Sequence, residues 1–549
     1  MKRKLSLIIA ILLFISLVAG CSSTDDTPPT SKPTVTATPE SQSTGDEPAS
    51  DDKPYPLVES PVTLSCYWLV EATEIVDLSD CMFWQEMANR LNVHIKFDHP
   101  ASTGGNENFN LIVASQDYPD MMKGFYTSYG PGVDHAIEEE MAVVALNDYV
   151  EYLPNYMSFV NGNEEIKKDC YSDNGYLWGI NHLVPEPEYP WAGPAVRKDM
   201  LDEIGYTKTP VTVDDWEDML TQLRDNFPSL KNGPFMLVSH GGTAAWGTVT
   251  AAYGVHSHRN FMDVNGKVVY PMLEPGYKDY LMRMNEWYEK GLIWDDYISE
   301  RFIYGPVDKV ANDELAVFDS IYSWFESNYA AASEDPNFEI IGIPLPKLNE
   351  NDELHIRQSN AWARPLLSVS IMTTCEDVPL ACRYWDYVFS EEGILLSNWG
   401  IEDVTFVYDD AGNPQFTDLI LDYEAGVESA MTQYLSYNGP GLIDWKRGWQ
   451  VVPQAAIDAT ITWKESANDD WVFPEGAILT AEEGEEYSRI FVDIQTFINE
   501  NANRFIMGLE SFDNFDAFIE EIKEMGIERV IEIKQQSLDR YYNRLNIID

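Results

Sequence analysis

From Leu57 onward, apolar residues recur in two rhythms. Val62 to Val70 (VTLSCYWLV) is a run of β-formers and predicts a strand. Val93-His94-Ile95-Lys96-Phe97 alternates apolar and polar residues at the period of two expected of a half-buried strand. Between them Phe83, Trp84, Met87, Ala88 and Leu91 stand three and four apart, on one face of a helix. Phe109 to Ala114 reads as a short helix, and Ser115 to Met122 (SQDYPDMM) as a turn feeding a short buried strand. Strand, helix, strand, helix, strand is the order of an α/β fold and implies a parallel sheet.

Two later helices carry clear punctuation. Thr212 is placed to cap one, with Asp215 at the third helical position and Val213, Trp216, Leu220, Leu223 and Phe227 as its apolar stripe. Ser511 is expected to start another, with Phe512, Phe515, Phe518, Ile519 and Ile522 inward and Gly526 ending it. Tyr487, Ile490, Phe491, Ile494, Phe497 and Ile498 mark one more upstream. Asp263-Val264-Asn265-Gly266-Lys267 and Asp409-Asp410-Ala411-Gly412-Asn413 are hairpin turns between β-rich stretches. There is no internal repeat.

The N-terminus follows different rules. Lys2, Arg3 and Lys4 precede an apolar run from Leu5 to Val18, which is shorter than the roughly 20 residues a membrane-spanning helix needs. Leu17-Val18-Ala19-Gly20-Cys21 closes it, and small residues before a Cys resemble the lipobox of bacterial lipoproteins. Residues 1–20 are therefore expected to be a signal peptide and Cys21 the lipidated residue, anchoring the chain on the extracytoplasmic face of the cell membrane. Residues 21–56, rich in Ser, Thr, Pro, Asp and Glu, hold too little apolar surface to offset ordering entropy and read as a tether.

About 490 residues remain, which suits two lobes better than one core. The formal charge of −55 disfavours nucleic acid and anionic membrane surfaces. It also favours a neutral ligand over an anionic one, although a local Arg can override the global field. Cys66, Cys81, Cys170, Cys375 and Cys382 are an odd set with no CxxC, in which Cys375–Cys382 is one conceivable disulfide. His256-x-His258 is the one close His pair. No zinc ligand pattern and no complete EF-hand loop appears, so no cofactor is expected.

Several separated segments, in order, resemble the family 1 extracellular solute-binding proteins of carbohydrate ABC importers. Ala114-Ser115-Gln116-Asp117-Tyr118-Pro119-Asp120 is similar to that family's A-S-G-D-x-P-D turn, and Asn174 to Ile180 (NGYLWGI) to its N-G-K-x-Y-G-I-P crossing segment. Val196 to Gly205 (VRKDMLDEIG) is similar to x-R-K-D-W-L-D-K-L-G, and Thr212 to Trp216 to the P-x-T-x-D-E-W that follows it. Glu392-Gly393-Ile394 with Asn398-Trp399-Gly400-Ile401-Glu402 resembles E-G-x…N-Y-G-I-E-G, and Phe505 to Tyr542 resembles the family's tail. Asp403 stands where the family has Gly, and Asn181-His182 replaces its Pro.

The resemblance implies an α/β, two-lobed periplasmic-binding-protein-like fold, with a ligand cleft between lobes and a hinge of crossing strands. It places residues 57–178 plus 312–361 in lobe 1 and 179–311 plus 362–549 in lobe 2. The function it implies is capture of a small-molecule ligand, an oligosaccharide, by a monomer that delivers it to ABC permease subunits.

An aromatic fraction of 13% suits such a ligand, because rings cover the flat C–H faces of sugars while polar groups pair the hydroxyls. Trp84, Trp216, Trp287 and Trp385 fall within expected helices and are assigned to packing. Rings outside helical stripes are the candidate contacts. They are Trp68 at the end of the first strand, Trp191 among Pro and Gly, Trp246 and Tyr253 in Gly/Ala-rich sequence, and Trp324 after the Ala316–Ser320 strand. Trp362 with Arg364, Trp399 with Glu402, and Trp445, Arg447 and Trp449 after Gly439-Pro440-Gly441 complete the set, with Asp120 at the Pro-Asp turn either a contact or a cap. Arg197 is expected to tie loops together.

Two other classes compete. A peptide-binding or sensory lipoprotein would share the fold. A secreted glycoside hydrolase needs two carboxylates at a fixed separation, and 91 acidic residues make any pair uninformative. No G-x-S-x-G, HExxH or phosphate loop is present, so no catalytic residue is assigned.

Overall fold

The computed structural model describes residues 55–68, 77–100, 105–186, 189–237, 248–255, 261–299, 306–356, 362–436, 438–468 and 470–548. The leader, Cys21, the tether up to residue 54, Trp246 and the His256–His258 pair lie outside them.

Local signals set the first elements. β1 (Val62–Tyr67) is followed by the helix Met82–Leu91, whose five expected inward residues are all buried, and Asn92 ends it in the left-handed region at φ 58°. In β2 (Val93–Asp98) every odd residue is buried and every even one exposed, so the alternation becomes one core face and one wet face. The helix Gly105–Ser115 leads to β3 (Met121–Lys123), which runs parallel to β1, as does β2. β4 (Ile180–Leu183) ends this first pass.

The chain then crosses to build a second sheet. β5 (Ala192–Arg197) opens it, a hairpin of β6 (Met262–Val264) and β7 (Lys267–Val269) lies outside it, and β8 (Val317–Ile321) and β9 (Ile340–Gly342) flank β5 antiparallel. It returns in β10 (Ala363–Ile371), which inserts antiparallel between β3 and β4. A small hairpin, β11 (Phe406–Tyr408) with β12 (Pro414–Phe416), precedes β13 (Gly441–Leu442), which pairs parallel with β4. The first sheet thus reads β13-β4-β10-β3-β1-β2 and the second β8-β5-β9. From residue 454 the chain is mostly helical, and most of its buried apolar residues belong to the second core.

Each sheet supports its own core. The first gathers Leu64, Phe83, Ile95, Tyr156, Val369 and Trp385. The second gathers Val196, Trp216, Tyr280, Trp287, Phe318, Trp463 and Phe505. The helix Gln454–Ser466 lies flush on the second sheet because Gly193 and Gly342 carry no side chain. A Cβ on Gly193 would sit 2.6 Å from the Trp463 ring, and one on Gly342 2.4 Å from the Ala459 Cβ. The Trp463 indole N–H donates to the Pro194 carbonyl at 3.0 Å.

This layout corrects the expected division into lobes. Segment 312–361 holds β8 and β9, which bond to β5, so it belongs with the second sheet. Segment 362–449 holds β10 and β13, which bond to β3 and β4, so it belongs with the first. The NGYLWG segment does not cross either: Tyr171 bridges Leu177 in a tight turn, and crossing begins only after β4. The helix expected from Ser511 opens instead as a short 3-10 turn, Phe512–Asn514, before Phe515–Glu524, because the Ser511 hydroxyl caps the Asp513 amide. Arg197 is buried, pairing with Asp199 and Asp313 and donating to the Val310 carbonyl. The five body cysteines are buried thiols, with Cys375 and Cys382 unjoined.

A buried ionic cluster fastens the C-terminal helix Ile527–Ile548 to the loop after the helix Glu164–Cys170. Arg544, 0% exposed, donates to Asp173 at 2.8 Å, to the Lys168 carbonyl at 3.0 Å and to the Gly476 carbonyl at 2.6 Å. Arg540 bridges the other Asp173 oxygen at 2.9 Å to Glu483 at 2.6 Å. Tyr541 donates to Asp169 at 2.9 Å. Because one cation serves several acceptors here, Arg544→Met should cost about 3–5 kcal/mol, leaving buried carboxylate and carbonyl groups unmatched. The midpoint of urea unfolding of the tether-free body measures it.

Candidate ligand site

Three chain passes link the two sheets: residues 184–191, the stretch between β9 and β10, and residues 443–453. All but one strand of the first sheet runs parallel, so the carboxyl ends of β1, β3, β4 and β13 share one edge with the start of β10. Open sheets of this kind bind ligands at that edge, where the crossings leave.

On the first sheet this edge carries Trp68, Lys123, His182, Trp362 and Arg364. Trp68 is buried at 4% exposure, with Trp84 at 5.3 Å and Trp385 stacked at 6.3 Å, so most of its ring belongs to the core. The Lys123 ammonium lies 4.8 Å over it. Trp362 is partly buried against the same core, and its carbonyl accepts from Val184 at 2.9 Å. Arg364 faces His182 across the β10–β4 pair.

On the second sheet the corresponding edge is the start of β5 and the end of β8, with Trp191, Tyr322 and Trp324 all partly buried. The Tyr322 amide donates to the Trp191 carbonyl at 3.1 Å.

The third crossing adds the densest aromatic group. Trp445–Val451 is a 3-10 turn in which the Trp445 and Trp449 rings lie 5.0 Å apart, edge to face, with Tyr189 of the first crossing at 5.0 and 5.3 Å from them. A Cβ on Gly448 would reach the Tyr322 hydroxyl at 3.0 Å, so this turn lies directly on the second sheet's edge. Its position is set from the first sheet. Asn398 donates to the Leu442 carbonyl at 2.8 Å and accepts from the Asp444 amide at 2.9 Å, while Arg447, 4% exposed, donates to the Ser397 carbonyl at 3.3 Å.

The structure therefore brings Trp68, Trp191, Trp324, Trp362, Arg364, Trp445 and Trp449 to the crossings, with Arg447 beneath them as a positioning residue. It places four others away. Asp120 lies at the opposite end of β3, accepting from the Ser65 amide and hydroxyl at 2.7 Å each, and so ties β3 to β1. Tyr253 packs on Tyr280 in the helical part of the second core. Trp399 is not in a loop: it ends the helix Glu391–Trp399, is 5% exposed and packs on Phe416 at 4.8 Å. Glu402 is exposed beside the β11–β12 hairpin, and Asp403 adopts φ 62°, the left-handed conformation Gly would take there. An open hollow of about 620 Å3 lies elsewhere, beside β1 and β2, lined by Ser65, Phe97, Asp98, Asn108 and Tyr118.

Sequence reasoning passed over Tyr189, Tyr322, Lys123 and His182. For the first two a signal existed, since each stands two residues from a chosen Trp.

Two buried titratable groups flank the junction. Burial and the nearby Arg364, Arg447 and Lys123 push the His182 imidazole down to about 3. On β8, burial pushes Asp319 up to about 6, only partly opposed by the hydroxyl of Thr248, which donates to it. Among the described residues, no group of three His, Cys, Asp or Glu side chains is placed to hold a metal.

No family model matches the chain and no curated protein does. Solved structures do match over most of it, and they define the fold as that of ABC-transporter solute-binding proteins. One is an HMO-binding ABC-transporter-associated solute-binding protein from Bifidobacterium longum infantis, 13% identical, covering 88% of this chain and 99% of that one with a TM-score of 0.72. Another is an EF-hand mutant of the Streptococcus pneumoniae substrate-binding protein FusA in complex with fructo-nystose, 18% identical at the same coverages with a TM-score of 0.68. A third is the alginate-binding protein AlgQ2 without calcium ion, 20% identical, again covering 88% and 99%, with a TM-score of 0.66. These neighbours are binding proteins.

Asp319 yields a test of the second sheet's edge. Burial raises its pKa in the folded state above the ordinary carboxylate value, so the native form holds the proton more tightly and stability falls as pH rises from about 4 through 6. Asp319→Asn should remove that contribution, stabilising the body at pH 7 by up to about 3 kcal/mol and flattening its denaturant midpoint between pH 4 and 6.

Proposed function

We propose that this chain is a lipid-anchored extracytoplasmic protein that captures an oligosaccharide and delivers it to the permease subunits of an ABC importer. The observation that carries the proposal is the aromatic group on the crossings, Tyr189, Trp191, Trp445 and Trp449, set in a fold whose neighbours include fructo-nystose-, alginate- and HMO-binding proteins. Partly exposed rings on segments from both sheets offer flat apolar faces to sugar C–H surfaces, and lobes that close on a hinge would bring them together. Capture of this kind needs no nucleophile or acid–base pair, and the protein is proposed to act without catalysis, as a monomer.

The anchor rests on the leader: Lys2-Arg3-Lys4, the Leu5–Val18 run and the small residues before Cys21. Cys21→Ala should move the protein from the detergent phase to the aqueous phase in a phase-separation assay of the expressing cells.

Ligand capture is tested by a thermal-shift screen of the tether-free body with kestose, nystose, a mannose-rich N-glycan, an alginate tetrasaccharide and short peptides, followed by calorimetry. A saccharide should raise the melting temperature without turnover. Trp445→Ala and Trp449→Ala should each weaken its binding by about 1–3 kcal/mol, the scale for burying a large side chain, and leave unliganded melting unchanged. Trp399→Ala should instead destabilise the fold by about 3–5 kcal/mol. A response to peptides alone would overturn the saccharide assignment, and product formation the absence of catalysis.

A further inference from the structure

His182 is the third residue of the four-residue strand β4, and all four are buried. It is bracketed by Arg364 of β10 on one side and Gly441 of β13 on the other, at the edge where the crossings leave. Its Nδ1 lies 2.7 Å from the Gly439 carbonyl oxygen. A carbonyl only accepts, so Nδ1 carries the ring proton and Nε2 presents a lone pair. That lone pair has no donor, although the side chain is only 3% exposed. Buried acceptors are nearly always matched, and one left open at a binding edge points to a group that arrives from outside.

The surrounding charges decide what kind of group. Arg364 of β10, Arg447 after β13 and Lys123 of β3 all act on the ring. Each also engages other groups of the chain, and only its positive charge matters here. Of the carboxylates on the helix packed against β4, Glu165 pairs with Lys168 and the buried Asp169 accepts from Tyr541. The positive field and burial keep the imidazole neutral at any physiological pH, fixing Nε2 as an acceptor.

Resting on the saccharide reading above, we propose that His182 Nε2 accepts a hydrogen bond from a hydroxyl of the bound saccharide at the floor of the site, past the partly exposed Arg364 and Lys123. A hydroxyl can donate to Nε2 while accepting from a neighbouring cation. A carboxylate has no proton to give Nε2, and an ammonium is repelled by the three cations. His182 is thereby a specificity-determining residue that selects an uncharged, hydroxyl-rich unit, even though positive side chains surround it.

The test uses 15N-histidine-labelled body and whichever of kestose, nystose, mannose-rich N-glycan or alginate tetrasaccharide raises its melting temperature. The His182 resonances are assigned by their loss in His182→Asn, which keeps a donor for Gly439 but places no acceptor where Nε2 stands. Saturating saccharide should shift the non-protonated Nε2 signal toward its hydrogen-bonded value with Nδ1–H unchanged. His182→Asn should lower affinity about tenfold with melting temperature retained, and wild-type affinity should stay flat from pH 7.5 to 5. Binding that leaves the Nε2 signal unmoved, or proton uptake on binding an acidic saccharide, overturns the role of His182 and leaves the saccharide reading intact. No response to any saccharide overturns both.

Discussion

Backbone pairing of β10 is the constraint on which the rest of the molecule depends. Its amides and carbonyls face β3 on one side and β4 on the other, so the first sheet is completed only by a strand that follows the whole β5–β9 excursion in sequence. Buried backbone groups must be paired, and no local alternative exists for β3 or β4 at those edges. Two sheets built from interleaved segments therefore require the chain to pass between them three times. The junction of those passes collects aromatic side chains that pack on the edges of the two cores or lie beyond them.

This dependence explains which features were legible in the sequence. Short-range chemistry was: the Thr212–Asp215 capping box, the alternation of β2 and the turns at Asn265-Gly266 and Gly412 all depend on residues a few positions apart. The assignment of segments to lobes was not, because it is decided by β8 and β9 choosing β5, and β10 choosing β3 and β4, across long separations. The same limit governed the site. Trp399 and Trp445 look alike in sequence, each beside Gly and charged residues, but helix Glu391–Trp399 continues far enough to bury the first, while the second falls in a short turn on a crossing. His182 reads as one of two polar residues in a short stretch, and only its cross-strand neighbours reveal its state.

The electrostatics of the junction run against the chain as a whole. With 91 acidic and 36 basic residues, the far field is strongly negative, yet Lys123, Arg364 and Arg447 converge on one buried ring. Near a buried, poorly solvated ring, a few fixed cations outweigh a distant screened excess. Net charge thus describes how the protein meets its surroundings, while recognition is set by local geometry.

The late arrival of β10 also bears on how the molecule acquires its structure. Until residues 363–371 are available, β1, β2 and β3 form a small parallel array with one flank of β3 unsatisfied, an exposed strand edge able to pair with another chain. Non-local closure of this kind is slow, because loop entropy is lost before the pairing is gained. The N-terminal third is therefore a poor autonomous folding unit, and the period between emergence of β3 and docking of β10 is when the chain is most prone to aggregate and most dependent on a chaperone.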